Sequence, residues 1–202
     1  DVIFGSVEAT NAFFTACGID IPQYLGYPEE LTKFLGRHIN RTILKNITIP
    51  TFIKPAYGVK LFTGCVIDSD QSLMFLKQFS NVNDDTVVYE SSLLNFVSEY
   101  RCFVHEEKLE GIQYYLGDFK QYPDVDVIED MISSYKTSNC AYTLDVGITE
   151  DGRTVLVEVN DMWAIGSYGM DARTYTLMCV RRMREIGRQA NGEETPLWKR
   201  IR

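Results

Sequence analysis

The stretch TLDVGITEDGRTVLVEVNDMW, residues 143–163, decides the predicted fold because its pattern is typical of a single β-hairpin. Two runs rich in β-branched residues, TLDVGI and TVLVEV, flank an Asp151-Gly152 pair that tolerates the positive φ angles of a tight turn. Side chains alternate across a strand, so Glu158 and Asn160 share a face. Asp145 can lie opposite them on the neighbouring strand, which brings three oxygen ligands together.

Two carboxylates and an amide oxygen suit a hard cation. Mg²⁺ prefers such oxygens, keeps several waters and often completes its coordination with substrate phosphates. We therefore expect Asp145, Glu158 and Asn160 to hold Mg²⁺ beside a nucleotide. The alternative is a hairpin whose acids lie on a solvated face. Against that alternative, Glu158 and Asn160 interrupt the apolar run VLVEVNDMW, where a charge needs a partner.

The composition indicates an ordinary globular chain. With 202 residues and 45% hydrophobic content, it can bury a sizeable core in one large domain or two small lobes. A net charge of -8 argues against a nucleic-acid partner bound by bulk electrostatics. Residues 181–202 are the exception, with seven Arg or Lys against three Glu. This pattern is typical of a basic last helical turn followed by a solvated tail, and partner docking is the alternative.

The cysteines and the apolar runs bear on the location of the chain. Five cysteines are scattered without a C-x-x-C pair, which predicts reduced core residues. No apolar run approaches the roughly 20 residues that span a bilayer, and the first residues lack the pattern of a secretory signal. These observations predict a cytoplasmic protein without a membrane partner.

The remaining patterns predict an α+β protein with a mostly antiparallel sheet. Residues 37–49 are compatible with either a strand or a helix. A strand is expected at residues 2–4, followed by a helix that Ser6 caps and Cys17-Gly18 ends. The other predicted helices are a short one from Pro28 to near Gly36 and three at residues 71–79, 124–135 and 171–188, and the other predicted strands are TFIKP, KLFTGCVI, VVYES, EYRCFV and GIQYYL.

Three cations lie at positions where they could serve a polar site. Lys54 interrupts an apolar strand, and Lys60 follows a turn that contains Gly58, so the two lysines could hold phosphates. The alternative is a surface turn. Arg101 shares a strand face with Glu99, and a same-face or cross-strand ion pair is the alternative to a role in catalysis. The chain lacks the G-x-S-x-G and G-x-G-x-x-G motifs of hydrolases and dinucleotide sites.

In their order along the chain, these segments resemble the ATP-grasp superfamily. The closest resemblance is to small ATP-grasp domain proteins of the R-two-K clade, and the segments that carry it are FIKPAYGVKLFTG, EYRCFV, TLDVGI and LVEVNDMWAIGSYG. The resemblance implies an ATP-grasp fold, in which two α+β lobes with mostly antiparallel sheets grip a nucleotide. It implies an abbreviated N-terminal unit at residues 1–50, an N-terminal lobe at 51–91 and a C-terminal lobe with the metal site at 92–202.

The resemblance also implies roles for individual residues. Lys54 and Lys60 would contact the phosphates of ATP, and Tyr89, Glu90 and Ser91 would form the adenine hinge through backbone bonds and an acidic acceptor. Many ligases of this fold carry an arginine two residues before the metal-binding aspartate, where this chain has Thr143. The catalytic cationic role is therefore assigned to Arg101, with Lys60. The loop that follows the metal ligands would touch the acceptor through Asp161, Gly166, Ser167 and Tyr168, and a tight turn that packs Trp163 into the core is the alternative.

The activity implied is that of an ATP- and Mg²⁺-dependent ligase that joins a carboxylate and an amine through an acyl phosphate. Its substrates would be small molecules, peptides or proteins, and a protein partner or a homo-oligomer is possible. Three alternatives remain open. The first is an ATP-binding regulatory or interaction protein without ligase activity, and the second is an ATP-grasp phosphotransferase. The third is an acidic α+β scaffold without a nucleotide site.

Overall fold

A computed structural model of the chain describes residues 5–56 and 61–192. Contacts between residues divide the chain into two compact units, one formed by Asp1–Phe34 with Phe96–Arg202 and the other by Leu35–Asn95. Each unit contains a four-stranded antiparallel sheet and helical segments, which confirms the predicted α+β class. The predicted domain boundaries after residues 50 and 91 stay a prediction.

The larger unit begins with helix α1, Val7–Ala16. The Ser6 hydroxyl accepts a hydrogen bond from the Ala9 N–H, which caps the helix as predicted. Gly18, with a φ of +67°, follows the last turn and ends the helix. A 3₁₀ helix, Glu29–Phe34, takes the place of the predicted short helix after Pro28. The strand predicted at residues 2–4 lies outside the described residues.

The described part of the smaller unit contains four strands, one α-helix and a short 3₁₀ helix, Leu44–Asn46. The ambiguous segment after Arg37 forms strand β1. The predicted strand KLFTGCVI begins at Lys60, outside the described residues, and of its described residues, 61–67, the last three form β3. Leu44, Ile53, Phe62, Ile67 and Val88 form the core of this unit. Its elements are β1 (Ile39–Ile43), β2 (Thr51–Pro55), β3 (Cys65–Ile67), helix α2 (Asp70–Phe79) and β4 (Val87–Ser91), and the strand order is β1-β4-β2-β3.

The second sheet lies in the larger unit and has the strand order β6-β5-β7-β8. Strand β7 pairs with β5 on one side and with β8 on the other, and all nine of its residues are buried. Gly152, with a φ of +81°, lies in the turn between β7 and β8 and confirms the predicted hairpin. The elements of this part are β5 (Phe96–His105), β6 (Lys108–Gly117), α3 (Val125–Ser134), β7 (Ala141–Thr149), β8 (Thr154–Asp161) and α4 (Ala172–Ala190).

Helices cover the second sheet. Met178 and Cys179 of α4 pack against Phe103 of β5 in one buried cluster. Ile128, Met131 and Ile132 are the buried residues of α3, and the ring of Tyr135 at its C-terminus packs edge-on against Tyr142 of β7. The apolar residues of α3 and α4 therefore hold the sheet between them and fix the strands that carry the predicted site.

The prediction that the cysteines are core residues is wrong in part. Cys17 is exposed and Cys65 is half-buried, whereas Cys102, Cys140 and Cys179 are buried as expected. In the basic region that begins at Arg181, Arg182 is only 3% exposed, which the charge pattern did not predict. Across the described residues, no helix combines the length and the apolar character needed to cross a membrane.

The sheet has no room for a side chain at Gly147. A Cβ atom there would lie 2.3 Å from the ring of Phe96, whereas one at Gly187 of α4 would meet no atom within 4 Å. We expect Gly147→Ala to lower the free energy of unfolding by about 1–3 kcal/mol through overpacking. The matched variant Gly187→Ala should raise it by about 0.5–1 kcal/mol, because alanine is the better helix former. Urea denaturation measures both, and equal stability of the two variants would contradict the packing of this sheet.

Candidate active site

The β7–β8 hairpin brings the three predicted metal ligands together. Asp145 pairs with Glu158 across the hairpin, and Thr143 pairs with Asn160. The Asn160 amide nitrogen donates to Asp145 Oδ2 at 3.2 Å and to Glu158 Oε1 at 3.1 Å. Both carboxylates therefore point toward the same nitrogen atom.

This donor set fits a hard cation. One oxygen of Asp145 and one of Glu158 converge on the position of the Asn160 amide nitrogen. Carboxylate oxygens are the ligands that Mg²⁺ prefers. The described part of the chain has no group of three His, Cys, Asp or Glu side chains able to hold a metal, so the set relies on the amide of Asn160. Rotation of that amide by half a turn would present its oxygen in place of its nitrogen.

Arg101 forms a bidentate ion pair with Asp145 across strands β5 and β7. Its Nε donates to Oδ1 at 2.8 Å and its Nη2 donates to Oδ2 at 2.7 Å. The ion-pair partner of Arg101 is therefore Asp145 on the neighbouring strand and not Glu99 on its own strand. This is the cross-strand ion pair given above as the alternative to a role in catalysis. Burial raises the pKa of Asp145 to about 6, and Arg101 opposes this effect. The two charge-assisted hydrogen bonds from Arg101 favour the ionised form of this carboxylate.

Two tyrosines lie against the guanidinium group of Arg101. The ring of Tyr168 is 4.7 Å from the guanidinium carbon and stacks at 5.0 Å on the ring of Tyr115, whose hydroxyl donates to Glu99 at 2.7 Å. Tyr168 has a φ of +47°, an uncommon value for a bulky residue. Sequence reasoning missed Tyr115. The signal was strand alternation, because Tyr115 is half-buried between the exposed Tyr114 and Leu116 and so faces the other side of the sheet.

The loop after β8 contacts this group at Gly166, whose carbonyl accepts from Arg101 Nη1 at 3.1 Å. Ser167 lies beside it and its carbonyl accepts from the Met170 N–H at 2.9 Å, which closes the turn. Trp163 packs edge-on against Phe14, with 5.5 Å between the ring centroids. This contact agrees with the alternative given above, a tight turn that packs Trp163 into the core. The loop thus places Gly166 and Tyr168 beside Arg101.

Asp161 belongs to a separate buried network. Arg182 binds both of its carboxylate oxygens, at 2.7 and 2.6 Å, and Asn139 donates to one of them at 3.1 Å. Arg182 also donates to Glu185 at 2.9 Å. Sequence reasoning missed Asn139, Arg182 and Glu185, because charge patterns do not reveal burial. The predicted contact of Asp161 with a substrate stays a prediction, and the carboxylate already has three donors.

The predicted nucleotide contacts of the smaller unit lie on β2 and β4. Lys54 is half-buried and pairs with Tyr89 across the two strands. The Glu90 carboxylate accepts from the Thr48 N–H, and the hydroxyl of the buried Ser91 donates to the Ser92 carbonyl at 2.9 Å.

The adenine hinge predicted at residues 89–91 falls within a central strand. Strand β4 pairs with β1 on one side and β2 on the other, so an adenine bond to its backbone would replace a bond of the sheet. Lys60 and Gly58 lie outside the described residues, and their predicted phosphate contacts stay predictions.

Sequence reasoning also missed Tyr24, whose hydroxyl donates to Glu158 Oε2 at 2.9 Å. The contact joins residues 134 positions apart, and no periodicity or motif marks Tyr24. Glu158 therefore has one carboxylate oxygen bound by Asn160 and the other bound by Tyr24.

Comparison with known proteins gives one family match. The sequence model of an ATP-grasp domain, family 2 of the R-two-K clade, matches residues 34–178. No protein of curated function matches the chain by sequence.

Several solved structures are similar to this chain, and two of those described next reach a TM-score of 0.50 or more. D-alanine–D-alanine ligase from Bacillus anthracis matches with a TM-score of 0.51 and 13% identity, over 91% of this chain and 69% of that one. The ADP complex of purK, a carboxyaminoimidazole ribonucleotide synthetase, matches with a TM-score of 0.50 and 9% identity, over 66% of this chain and 42% of that one. A RimK domain ATP-grasp protein from Sphaerobacter thermophilus matches with a TM-score of 0.48 and 13% identity, over 93% of this chain and 64% of that one. The chain thus spans about two thirds or less of these proteins.

The Arg101–Asp145 pair gives a testable stability prediction. The two side chains are only 7% and 4% exposed, so removal of one partner leaves a buried charge uncompensated. We expect Asp145→Ala to lower the free energy of unfolding by about 3–5 kcal/mol. The double variant Arg101→Met with Asp145→Leu should recover most of that loss in urea denaturation. A double variant less stable than Asp145→Ala would show that the pair is not the dominant contact at this position.

Proposed function

The chain belongs to the ATP-grasp family, in its R-two-K clade, and we propose that it is an ATP- and Mg²⁺-dependent ligase that joins a carboxylate to an amine. The convergence of Asp145 and Glu158 on Asn160, with Arg101 bound beside them, is the observation that carries the proposal. Relatives of the same fold described as ligases support it. The substrates are proposed to be a small molecule or a peptide or protein side chain, and the location to be cytoplasmic.

The proposed reaction has two steps. A carboxylate oxygen of the first substrate attacks the γ-phosphorus of ATP, the bond to the bridging oxygen breaks, and ADP leaves with an acyl phosphate formed. The amine of the second substrate then attacks the acyl carbon. The carbon–oxygen bond to phosphate breaks, the nitrogen loses a proton, and an amide and inorganic phosphate result. Charge accumulates on phosphoryl oxygens in the first step, so cations positioned there provide most of the catalysis.

Among the described residues, Arg101 is proposed as the catalytic cation that neutralises charge on the reacting phosphoryl or acyl oxygens. Its guanidinium is held on one edge by Asp145, while Nη1 donates to the Gly166 carbonyl. A small shift of the loop would free Nη1 for a phosphoryl or acyl oxygen. Tyr168 stacks over the same group and, with Gly166 and Ser167, is proposed to contact the acceptor.

The remaining proposed roles follow the family resemblance. When bound, Mg²⁺ would neutralise charge on the phosphates of ATP. Asp145, Glu158 and Asn160 supply the oxygens that would hold it. Lys54 and Lys60 are proposed phosphate contacts. Tyr89, Glu90 and Ser91 are proposed to form the adenine hinge, with the Glu90 carboxylate as the acidic acceptor.

One observation favours a second candidate function, an ATP-binding regulatory protein without ligase activity. Thr143 occupies the position where many ligases of this fold have an arginine, and its buried hydroxyl has no hydrogen-bond partner among the described residues. Arg101, the substitute, has its Nε and Nη2 bound to Asp145. Such a protein would bind Mg-ATP without turnover.

Nucleotide binding is the first property to test. A ligand that binds only the folded state stabilises it, by about 2.7 kcal/mol at a hundred times its Kd. We therefore expect Mg-ATP to raise the melting temperature measured by differential scanning fluorimetry, and ATP with a chelator to raise it less. No shift with Mg-ATP at millimolar concentration would contradict both candidate functions.

Turnover separates the two candidates. With panels of acids and amines, we expect the wild-type protein to release ADP and phosphate. Glu158→Ala should lower the turnover rate at least about a hundredfold, because it removes a proposed ligand of the cation that neutralises phosphate charge. The control is Glu110→Ala, an exposed carboxylate on β6 that should leave the rate unchanged. Full activity in Glu158→Ala would refute the metal assignment, binding without turnover would favour the regulatory protein, and a stable phosphorylated product without an amide would indicate a phosphotransferase.

A further inference from the structure

We propose that Tyr24 is a positioning residue that orients Glu158 for metal binding, an inference that rests on the proposed function. Its hydroxyl donates to Glu158 Oε2 at 2.9 Å. Residues 5–33 precede the part of the chain that matches the family model, which begins at residue 34. The contact therefore comes from a segment that the family motifs do not include.

The backbone around Tyr24 is fixed to the strand that carries Glu158. The Gly26 N–H donates to the Val159 carbonyl at 3.1 Å, and the Val159 N–H donates back to the Gly26 carbonyl at 2.8 Å. This antiparallel bridge adds a short fifth partner to the edge of the sheet at β8. Val159 lies between Glu158 and Asn160, so the bridge holds the segment beside both ligands.

Gly26 allows the ring of Tyr24 to reach Glu158. Its φ of +52° lies in the left-handed region that glycine adopts without strain. A Cβ atom at this position would lie 2.6 Å from Cε1 of Tyr24. The tyrosine ring therefore covers the bare Gly26 backbone, and any side chain there would push the ring away from the carboxylate.

The contact of the phenol with one carboxylate oxygen is compatible with metal binding. Tyr24 binds Oε2, whereas the Asn160 amide that donates to Oε1 would turn its oxygen toward a bound cation. The contact with Tyr24 is therefore the one that would still orient the Glu158 carboxylate. Each carboxylate oxygen has about two lone-pair sites, so an oxygen that accepts a hydrogen bond can also bind a cation. Hydrogen bonds of this kind to ligating carboxylates orient them, and their loss typically costs about tenfold to a hundredfold in metal affinity.

Direct measurement of Mn²⁺ binding tests the proposal without relying on activity. Binding is measured by isothermal titration calorimetry, in which the preformed complex of Mn²⁺ with a non-hydrolysable ATP analogue is titrated into the protein and the analogue without metal serves as the blank. We expect Tyr24→Phe to weaken Mn²⁺ binding about tenfold, since the ring stays and only the hydroxyl is lost. The matched control is Tyr114→Phe, which removes a phenol that donates to the Gly117 carbonyl at 2.6 Å. Tyr114 pairs with Tyr100, one position away from Arg101 and on the other face of the sheet.

A reference variant separates the failure of this proposal from the failure of the proposed function. Glu158→Gln should weaken Mn²⁺ binding at least as strongly as Tyr24→Phe. If Glu158→Gln binds like the wild type, the metal assignment fails and the role of Tyr24 fails with it. If Glu158→Gln loses affinity but Tyr24→Phe does not, the positioning role is wrong and the metal assignment stands. Affinities are expressed per folded molecule by near-ultraviolet circular dichroism, so partial unfolding of Tyr24→Phe does not imitate the expected loss.

Discussion

The buried ion pair between Arg101 and Asp145 is the constraint on which the site depends. Strand β7 is buried along its whole length, so an ionised carboxylate in its middle must have a partner of opposite charge. Arg101 on β5 supplies that charge through two short hydrogen bonds. The pair fixes the lateral position of β5 against β7, and through the Gly166 carbonyl it also fixes the loop that follows β8. Fold and site therefore share one electrostatic contact.

Local patterns made part of this arrangement predictable. The pairing of Asp145 with Glu158 follows from strand alternation and a glycine turn, both of which operate within about twenty residues. The partner of Arg101 could not be deduced in the same way, because β5 and β7 are separated by β6 and α3 in the sequence. Alternation placed Arg101 on a face with Glu99, but only the order of strands in the sheet decides which neighbour it meets.

The contacts missed from sequence share a physical reason. Arg182 belongs to the basic end of α4, whose charges indicated an interaction with the helix dipole, yet packing of α4 buries Arg182 against Asp161. Tyr24 lies in a segment without regular structure, where no periodicity exists to indicate its neighbours. In the smaller unit, VVYES was correctly predicted as a strand, but its central place in the sheet depends on pairing with β1, a segment whose pattern was ambiguous. Long-range pairing therefore limits how much of the site a single sequence reveals.

The amide of Asn160 has a consequence for the charge balance of the site. Glu99 belongs to the same charge group, because its carboxylate also raises the pKa of Asp145. Formal charges of +1 on Arg101 and -1 on each of Asp145, Glu158 and Glu99 give a sum of -2. The amide of Asn160 donates hydrogen bonds but adds no charge to that sum. A divalent cation would bring the sum to zero if the amide turned its oxygen inward, so a double positive charge matches this cluster better than a single one.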